Sequence, residues 1–252
     1  MTKNVDYNDK KIPQLALLID DDNASIKDIP FILNEITKYG EATLRRIYGN
    51  FVGKNGNWKE TINTHAIKPM QQFAYTTGKN ATDGYMMIDT MDLLYKNLFD
   101  GFCIVSSDSD FTALAIRLKE EGVKVYGFGR KQTPESFRNA CSHFIYVENL
   151  RKNTDEEKNE VNNASDNTSS GNSHPPLPKD TLNNIFEEFE QNDWIHLGLL
   201  GQKWRLLEND FDPRNYGCKK LSDLVKKYPD IFEIKTQQDS GVEQLYVRLK
   251  NI

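Results

Sequence analysis

The chain has 252 residues, 38% hydrophobic and 27% charged, with a net charge of −5. That hydrophobic share supports packed cores and excludes wholesale disorder, and the acidic balance leaves only local basic patches for nucleic acid. No apolar run approaches the ~18 residues needed to cross a bilayer, so no membrane partner is expected; the N-terminal "MTKNVDYNDKKIP" lacks a signal-type apolar core, and Cys103, Cys141 and Cys218 show no CxxC spacing, which together predict a reducing, cytoplasmic setting.

In chain order, "LALLID" (15–20) is a continuous apolar run ending in an acid, the pattern of a buried strand. A helix is predicted over 25–40, with Ser25 as N-cap and Gly40 as its stop. "ATLRRIYG" (42–49) is a second strand, 57–66 a helix, and "MQQFAYTT" (70–77) a third strand. A helix over 82–99 leads to the fourth strand, "GFCIVSS" (101–107), and a helix over 110–122 closes on Gly122. "VKVYGFG" (123–129) is a fifth strand; "PESFRNAC" is a short helix before a last strand, "HFIYVENL". Alternating strands and helices, with nearly continuous apolar strands, predict an α/β domain over 1–150. It is a three-layer, Rossmann-like domain with a parallel sheet. In the common order 3-2-1-4-5, ligands bind where the order reverses, between strands 1 and 4. Asp20 and Asp108 end those two strands.

Residues 151–176 contain Val161 as their only large aliphatic residue and are predicted to be a flexible linker. The second domain, 177–252, begins with a helix that spaces Leu182, Ile185, Phe186 and Phe189 along one face. A strand-like "WIHL", two further helices and a hairpin over "IFEIKT" and "EQLYVRLK" complete a small winged-helix pattern. In its third helix Leu221, Leu224, Val225 and Tyr228 share a face, leaving Lys219, Lys220, Lys226 and Lys227 outside for phosphate contact or for plain solvation. The domain holds 11 Lys/Arg against 13 Asp/Glu, so it is not basic overall.

The candidate acids are Asp20, Asp21, Asp22, Asp83, Asp89, Asp108 and Asp110. Two unit charges 4 Å apart repel by about 4 kcal/mol at an effective dielectric near 20. Several carboxylates in one crevice therefore require protons or a cation. Hard divalent ions such as Mg²⁺ take oxygen ligands, and paired ions suit phosphodiester cleavage by an activated water. Helix capping accounts for an acid such as Asp110 at a helix start; it does not account for Asp20, which ends a strand. Asp89 lies six residues past Asp83, about 120° round the helix and some 9 Å along, so it is expected to support the site rather than ligate. Arg45, Arg46, Lys79, Arg130 and Lys131 are the basic candidates for substrate phosphates. Arg45 and Arg46 point to opposite faces of their strand, so at most one serves a given site.

The segments "LLIDDDN", "KNATDGYMMID", "IVSSDSDF" and "NACSHFIYVENL" resemble, in that order, the NYN family of PIN-like nucleases, in its LabA-like branch. The resemblance covers about residues 13–150 and implies a metal-dependent ribonuclease. It implies Asp20, Asp83, Asp108 and Asp110 as catalytic metal ligands for Mg²⁺ or Mn²⁺. Asn23 would orient ligand or substrate, and Ser106 or Ser107 would support a carboxylate. Ser107 stands where glycine is common, and "KNATD" is longer than the usual spacing, which moves Lys79 relative to the metals. "WIHLGLLGQKWRLLENDFDPRNYGCKKLSDLVKKYPDIFEI" resembles the LOTUS, or OST-HTH, domain, with "FDPRNYG" then "KKLSDLV" as the specific part. That likeness implies RNA binding, with Tyr216, Lys219 and Lys220 as the positions for it, and protein contact in some members; Gly217 serves a turn, and Tyr216 either stacks on a base or simply packs.

The resulting expectation is an endoribonuclease with a tethered RNA-binding module. Two alternatives use the same residues. One is a non-catalytic RNA-binding adaptor that keeps the acids for structure. The other resembles haloacid-dehalogenase-like phosphatases, with Asp20 as nucleophile and Asp22 as acid; Ala24 and Ser25 fit that pattern poorly.

Overall fold

β1 (Gln14–Asp20) is flanked on both sides, parallel to β2 (Glu41–Gly49) and to β4 (Gly101–Val105). Leu15 to Ile19 are at most 1% exposed, as a strand covered on both faces requires. The computed structural model describes residues 11–51, 57–73, 81–151, 175–189, 193–239 and 242–250. With β3 (Lys68–Gln71), β5 (Lys124–Gly129) and β6 (His143–Tyr146), the sheet has the order β3-β2-β1-β4-β5-β6. The expected order 3-2-1-4-5 holds, and the crevice between β1 and β4 lies where the sequence places it.

The helices are α1 (Ile29–Ile36), α2 (Asn57–Thr64), α3 (Ala81–Tyr95), α4 (Thr112–Glu120), α5 (Glu135–Ala140) and α6, which begins at residue 147. Several expectations need correction. The first helix opens with a 3-10 turn, Ile26–Asp28, without a side-chain cap from Ser25, and ends at Ile36 rather than near Gly40. Gly40 serves a close approach instead: a Cβ there would lie 2.4 Å from the Pro13 carbonyl oxygen. The third strand is Lys68–Gln71, earlier than 70–77, and residues 74–77 fall outside the described set. Pro69 is tolerated because β3 is an edge strand. The last strand stops at Tyr146 because Glu148 and Asn149 are poor strand formers, and α6 takes over. Gly122, with φ at 78°, does end its helix as expected.

The chain divides into two compact units, Met1–Ser142 and His143–Ile252. The expected linker, 151–176, lies almost wholly outside the described residues. In the second unit, α7 (Lys179–Glu187), β7 (Ile195–His196), α8 (Leu197–Leu207), α9 (Leu221–Lys227), β8 (Phe232–Asp239) and β9 (Val242–Leu249) follow one another. The strands form an antiparallel sheet ordered β7-β9-β8, completing the winged-helix arrangement. Trp204 stacks on Phe211 at 3.9 Å, and Tyr216 tilts against both rings. Leu182, Ile185, Leu224 and Val225 fill the same core.

Gly217 closes a 3-10 turn, Pro213–Tyr216, at φ 72°, a conformation that L side chains adopt at a cost. Gly217→Ala is expected to lower stability by about 1 kcal/mol, and Gly217→Asn by clearly less. Urea denaturation followed by the near-ultraviolet signal of the stacked Trp204 measures both. Equal midpoints for Gly217→Ala and wild type would refute the strain.

Candidate functional site

The site is built upward from Asp20, whose side chain is fully buried at the end of β1. A buried carboxylate must be hydrogen-bonded. Its Oδ2 accepts from Ser106 Oγ at 2.7 Å and from Asn23 Nδ2 at 2.8 Å, and its Oδ1 accepts from the Asp22 amide at 3.1 Å. Burial raises the Asp20 pKa, and these donors oppose the rise. Oδ2 thus has both lone pairs engaged, while Oδ1 keeps one without a described partner.

Register explains the meeting. Ile19 pairs with Val105, so Ser106 follows directly beside Asp20. Ser106 Oγ also accepts the Asp108 amide at 3.1 Å. Asp108 in turn caps the 3-10 turn Ser109–Phe111, its Oδ1 accepting the Asp110 amide at 2.9 Å. One hydrogen-bonded chain therefore runs from the end of β1 to the start of the next helix. Capping belongs to Asp108 rather than to Asp110. Of Ser106 and Ser107, it is Ser106 whose hydroxyl reaches a carboxylate, while Ser107 Oγ accepts the Arg130 amide at 2.9 Å, joining the ends of β4 and β5.

Asp83 enters from the first turn of α3. Oxygens of Asp83, Asp108 and Asp110 all lie within 4.8 Å of one another; the first two residues are half-buried and the third is exposed. Asp20 is not in this group, contrary to expectation, because its carboxylate is turned into the β1–β4 hydrogen bonds. Three convergent oxygen donors of like charge match the preference of Mg²⁺ or Mn²⁺. The electrostatics agree. The Asp83 carboxyl is pushed up to about 6, first by burial and then by the charges of Asp20, Asp108, Asp110 and Asp22.

A raised carboxyl has a definite sign in stability. The native state holds the Asp83 proton more tightly than the unfolded chain does, so its contribution is present at pH 4 and lost as pH rises through about 6. The side chain is partly exposed, and solvent screening reduces the loss to about 1 kcal/mol. In chelator, Asp83→Asn is expected to flatten this fall between pH 4 and pH 7 by about 1 kcal/mol. Thermal melts across that range check it, and parallel profiles for variant and wild type would contradict it.

Asp89 belongs to a separate cluster that the sequence alone did not reveal, with Arg46 and Tyr48 of β2 as its partners. Arg46 Nη1 donates to Asp89 Oδ1 at 2.6 Å, and Tyr48 Oη donates to Asp89 Oδ2 at 2.5 Å. Arg46 and Tyr48 are two apart on β2 and so share a face, which was the available signal. Arg45 turns the other way, onto the carbonyls of Ala42 and His65. Neither arginine is held ready for substrate. Arg130 and Lys131 are exposed just after β5, and Lys79 lies outside the described residues.

In the second unit, Lys219 and Lys220 are exposed ahead of α9. Lys227 is committed to the Tyr216 carbonyl at 2.8 Å. Tyr216 itself is 6% exposed and packs with Trp204 and Phe211. Of the two roles open to it, base stacking or packing, its burial corresponds to packing. The phosphatase reading also loses ground, since a nucleophile must reach substrate and Asp20 is buried with three hydrogen bonds.

No helix among the described residues is long and apolar enough to cross a membrane. No curated protein matches the chain. A crystal structure of a Vibrio parahaemolyticus protein of unknown function is similar at 16% identity and a TM-score of 0.46, covering 58% of this chain and 96% of that one. A solution structure of an uncharacterized Nitrosomonas europaea protein is 31% identical with a TM-score of 0.30, covering 36% of this chain and 91% of that one. The OST-HTH/LOTUS domain model matches residues 175–243. The NYN domain model matches residues 14–148, more than half of the 252 residues and the whole acidic crevice, and the chain belongs to the NYN domain family.

Proposed function

We propose that the protein is a Mg²⁺- or Mn²⁺-dependent endoribonuclease of the cytoplasm, whose C-terminal module binds RNA. The observation that carries this reading is the convergence of Asp83, Asp108 and Asp110 at the strand-order reversal of an NYN domain. Those three residues would hold the ion. Bound there, a divalent cation supplies Lewis-acid stabilisation of the attacking and leaving oxygens of a phosphodiester. The rest of the chain prepares the site. The charges of Asp20, Asp108, Asp110 and Asp22 disfavour the ionised Asp83 and so favour a cation among them. Asn23 and Ser106 hold Asp20 still, and Ser106 with the Asp110 amide sets the direction of Asp108. Arg130 and Lys131, exposed just after β5, would meet substrate phosphates. The OST-HTH/LOTUS module, with Lys219 and Lys220 exposed, raises the local concentration of RNA. A protein partner of that module is a secondary expectation.

One observation favours the adaptor reading: Asp108 already serves as a cap and Asp20 as a hydrogen-bond acceptor, so both have structural uses without a metal. Calorimetric titration with Mn²⁺ and incubation with single-stranded RNA separate the two. The nuclease reading expects saturable Mn²⁺ binding and cleavage that chelator stops. RNA binding with neither would establish the adaptor.

A further inference from the structure

The C-terminal sheet has an outward face that neither the core nor the acidic centre uses. Strand register decides its membership. Ile195 and Ile234 both pair with Val247, and Ile195 and Val247 are buried. Alternation along each strand then places Trp194, His196, Tyr246, Arg248, Glu233 and Lys235 on the opposite side, where all remain at least partly accessible. The contacts agree. The Arg248 guanidinium carbon lies 4.8 Å from the centre of the Trp194 ring, and Lys235 Nζ lies 6.0 Å from it. Glu233 accepts from Arg248 Nε at 2.6 Å and holds the guanidinium in place. His196 and Tyr246 meet edge to face with ring centres 5.5 Å apart. His196 Nδ1 accepts the Gly198 amide, which leaves Nε2 to carry the proton toward solvent.

We propose that this face binds single-stranded RNA by stacking unpaired bases. The assignment rests on the reading of the chain as an RNA-acting protein, and it moves the contact from Tyr216 to the sheet. Its chemistry distinguishes the occupant. The six residues named here offer planar π-systems and cations, with one carboxylate engaged by Arg248, and none of them is an aliphatic anchor of the kind that fills a protein-docking pocket. Bases stack on aromatic rings and on guanidinium planes, and neighbouring cations take the phosphates. Tyr246 and Arg248 are about 6.8 Å apart along β9, so the Tyr246–His196 pair and the Trp194–Arg248 pair form two successive platforms.

The test uses the full chain in chelator, with binding of a fluorescein-labelled oligoadenylate followed by anisotropy. Replacing both Trp194→Leu and Tyr246→Leu is expected to weaken binding about tenfold or more, with the salt dependence unchanged. Tyr246→Phe, which keeps the ring, retains affinity. Lys235→Ala lowers the slope of log affinity against log salt by about 0.7. If wild type binds and the double variant, melting like wild type, binds equally well, the face is not the RNA surface and is left for a protein partner, while the RNA reading stands. If wild type itself does not bind, both fall together. Should the double variant fold poorly, Lys235→Glu at its exposed position decides: unchanged affinity there overturns the proposal.

Discussion

Asp108→Asn is expected to abolish metal-dependent RNA cleavage while leaving the fold intact. Asparagine keeps an oxygen that can accept the Asp110 amide, so the cap survives. What it removes is one of three negative charges within 4.8 Å. Loss of an outer-shell partner already costs about 10–100-fold in metal affinity or activity. Loss of a charge from the converging group itself should cost at least about 100-fold. The assay is initial cleavage rate across a Mn²⁺ series, with calorimetric titration in parallel. Raised Mn²⁺ does not restore the full rate if the residue also orients the reaction. Wild-type rates in Asp108→Asn would remove Asp108 from the centre, and the nuclease reading would lose its main support.

The second large effect lies behind the site. Arg46→Ala is expected to destabilise the protein by about 3 kcal/mol. Arg46 and Asp89 side chains are 15% and 14% exposed, so removing the cation leaves a carboxylate largely out of water with, among the described residues, the Tyr48 hydroxyl as its remaining partner. The pair is not itself a large source of stability. Arg46 Nε is buried with no hydrogen-bond partner among the described residues, and an apolar replacement of the whole pair is often neutral or stabilising. Arg46→Met with Asp89→Leu should therefore recover most of the loss. The pair also fixes α3 against β2, and α3 carries Asp83 in its first turn. Arg46→Ala should accordingly weaken Mn²⁺ binding even at temperatures where the protein is folded. Urea midpoints and the same titration measure both effects; a change below about 0.5 kcal/mol, the range of ordinary surface substitutions, would refute the account.

Much of the fold was legible because its causes are local or nearly so. A run such as "LALLID" has no polar face, and only a strand covered on both sides accommodates it. Strand order then followed from a common topology, and it placed Asp20 beside the end of β4. Element ends were less legible. Gly40 reads as a helix stop, yet its reason is the Pro13 carbonyl across the chain, which no local pattern reveals. The third strand shifted because β3 is an edge strand that accepts Pro69.

At the site, residue types alone determined that acids gather at the strand-order reversal and that their charge must be balanced. They did not determine which acids gather. Asp20 reads as the first ligand and is instead buried in three hydrogen bonds, while Asp110, which reads as a ligand, a cap or both, joins the open group and leaves the cap to Asp108. Likewise Tyr216 can be read as stacking on a base or as packing and is core, whereas Trp194 and Tyr246 look ordinary in sequence and share an outward face. The physical reason is common to all of these. Charge and ring chemistry belong to the residue, but the direction of a side chain depends on backbone register and on donors from distant strands. By itself the sequence determined the family, the layered fold and the acidic chemistry; the tertiary structure alone decided which oxygens meet, because a displacement of one residue along a strand turns a side chain from crevice to core.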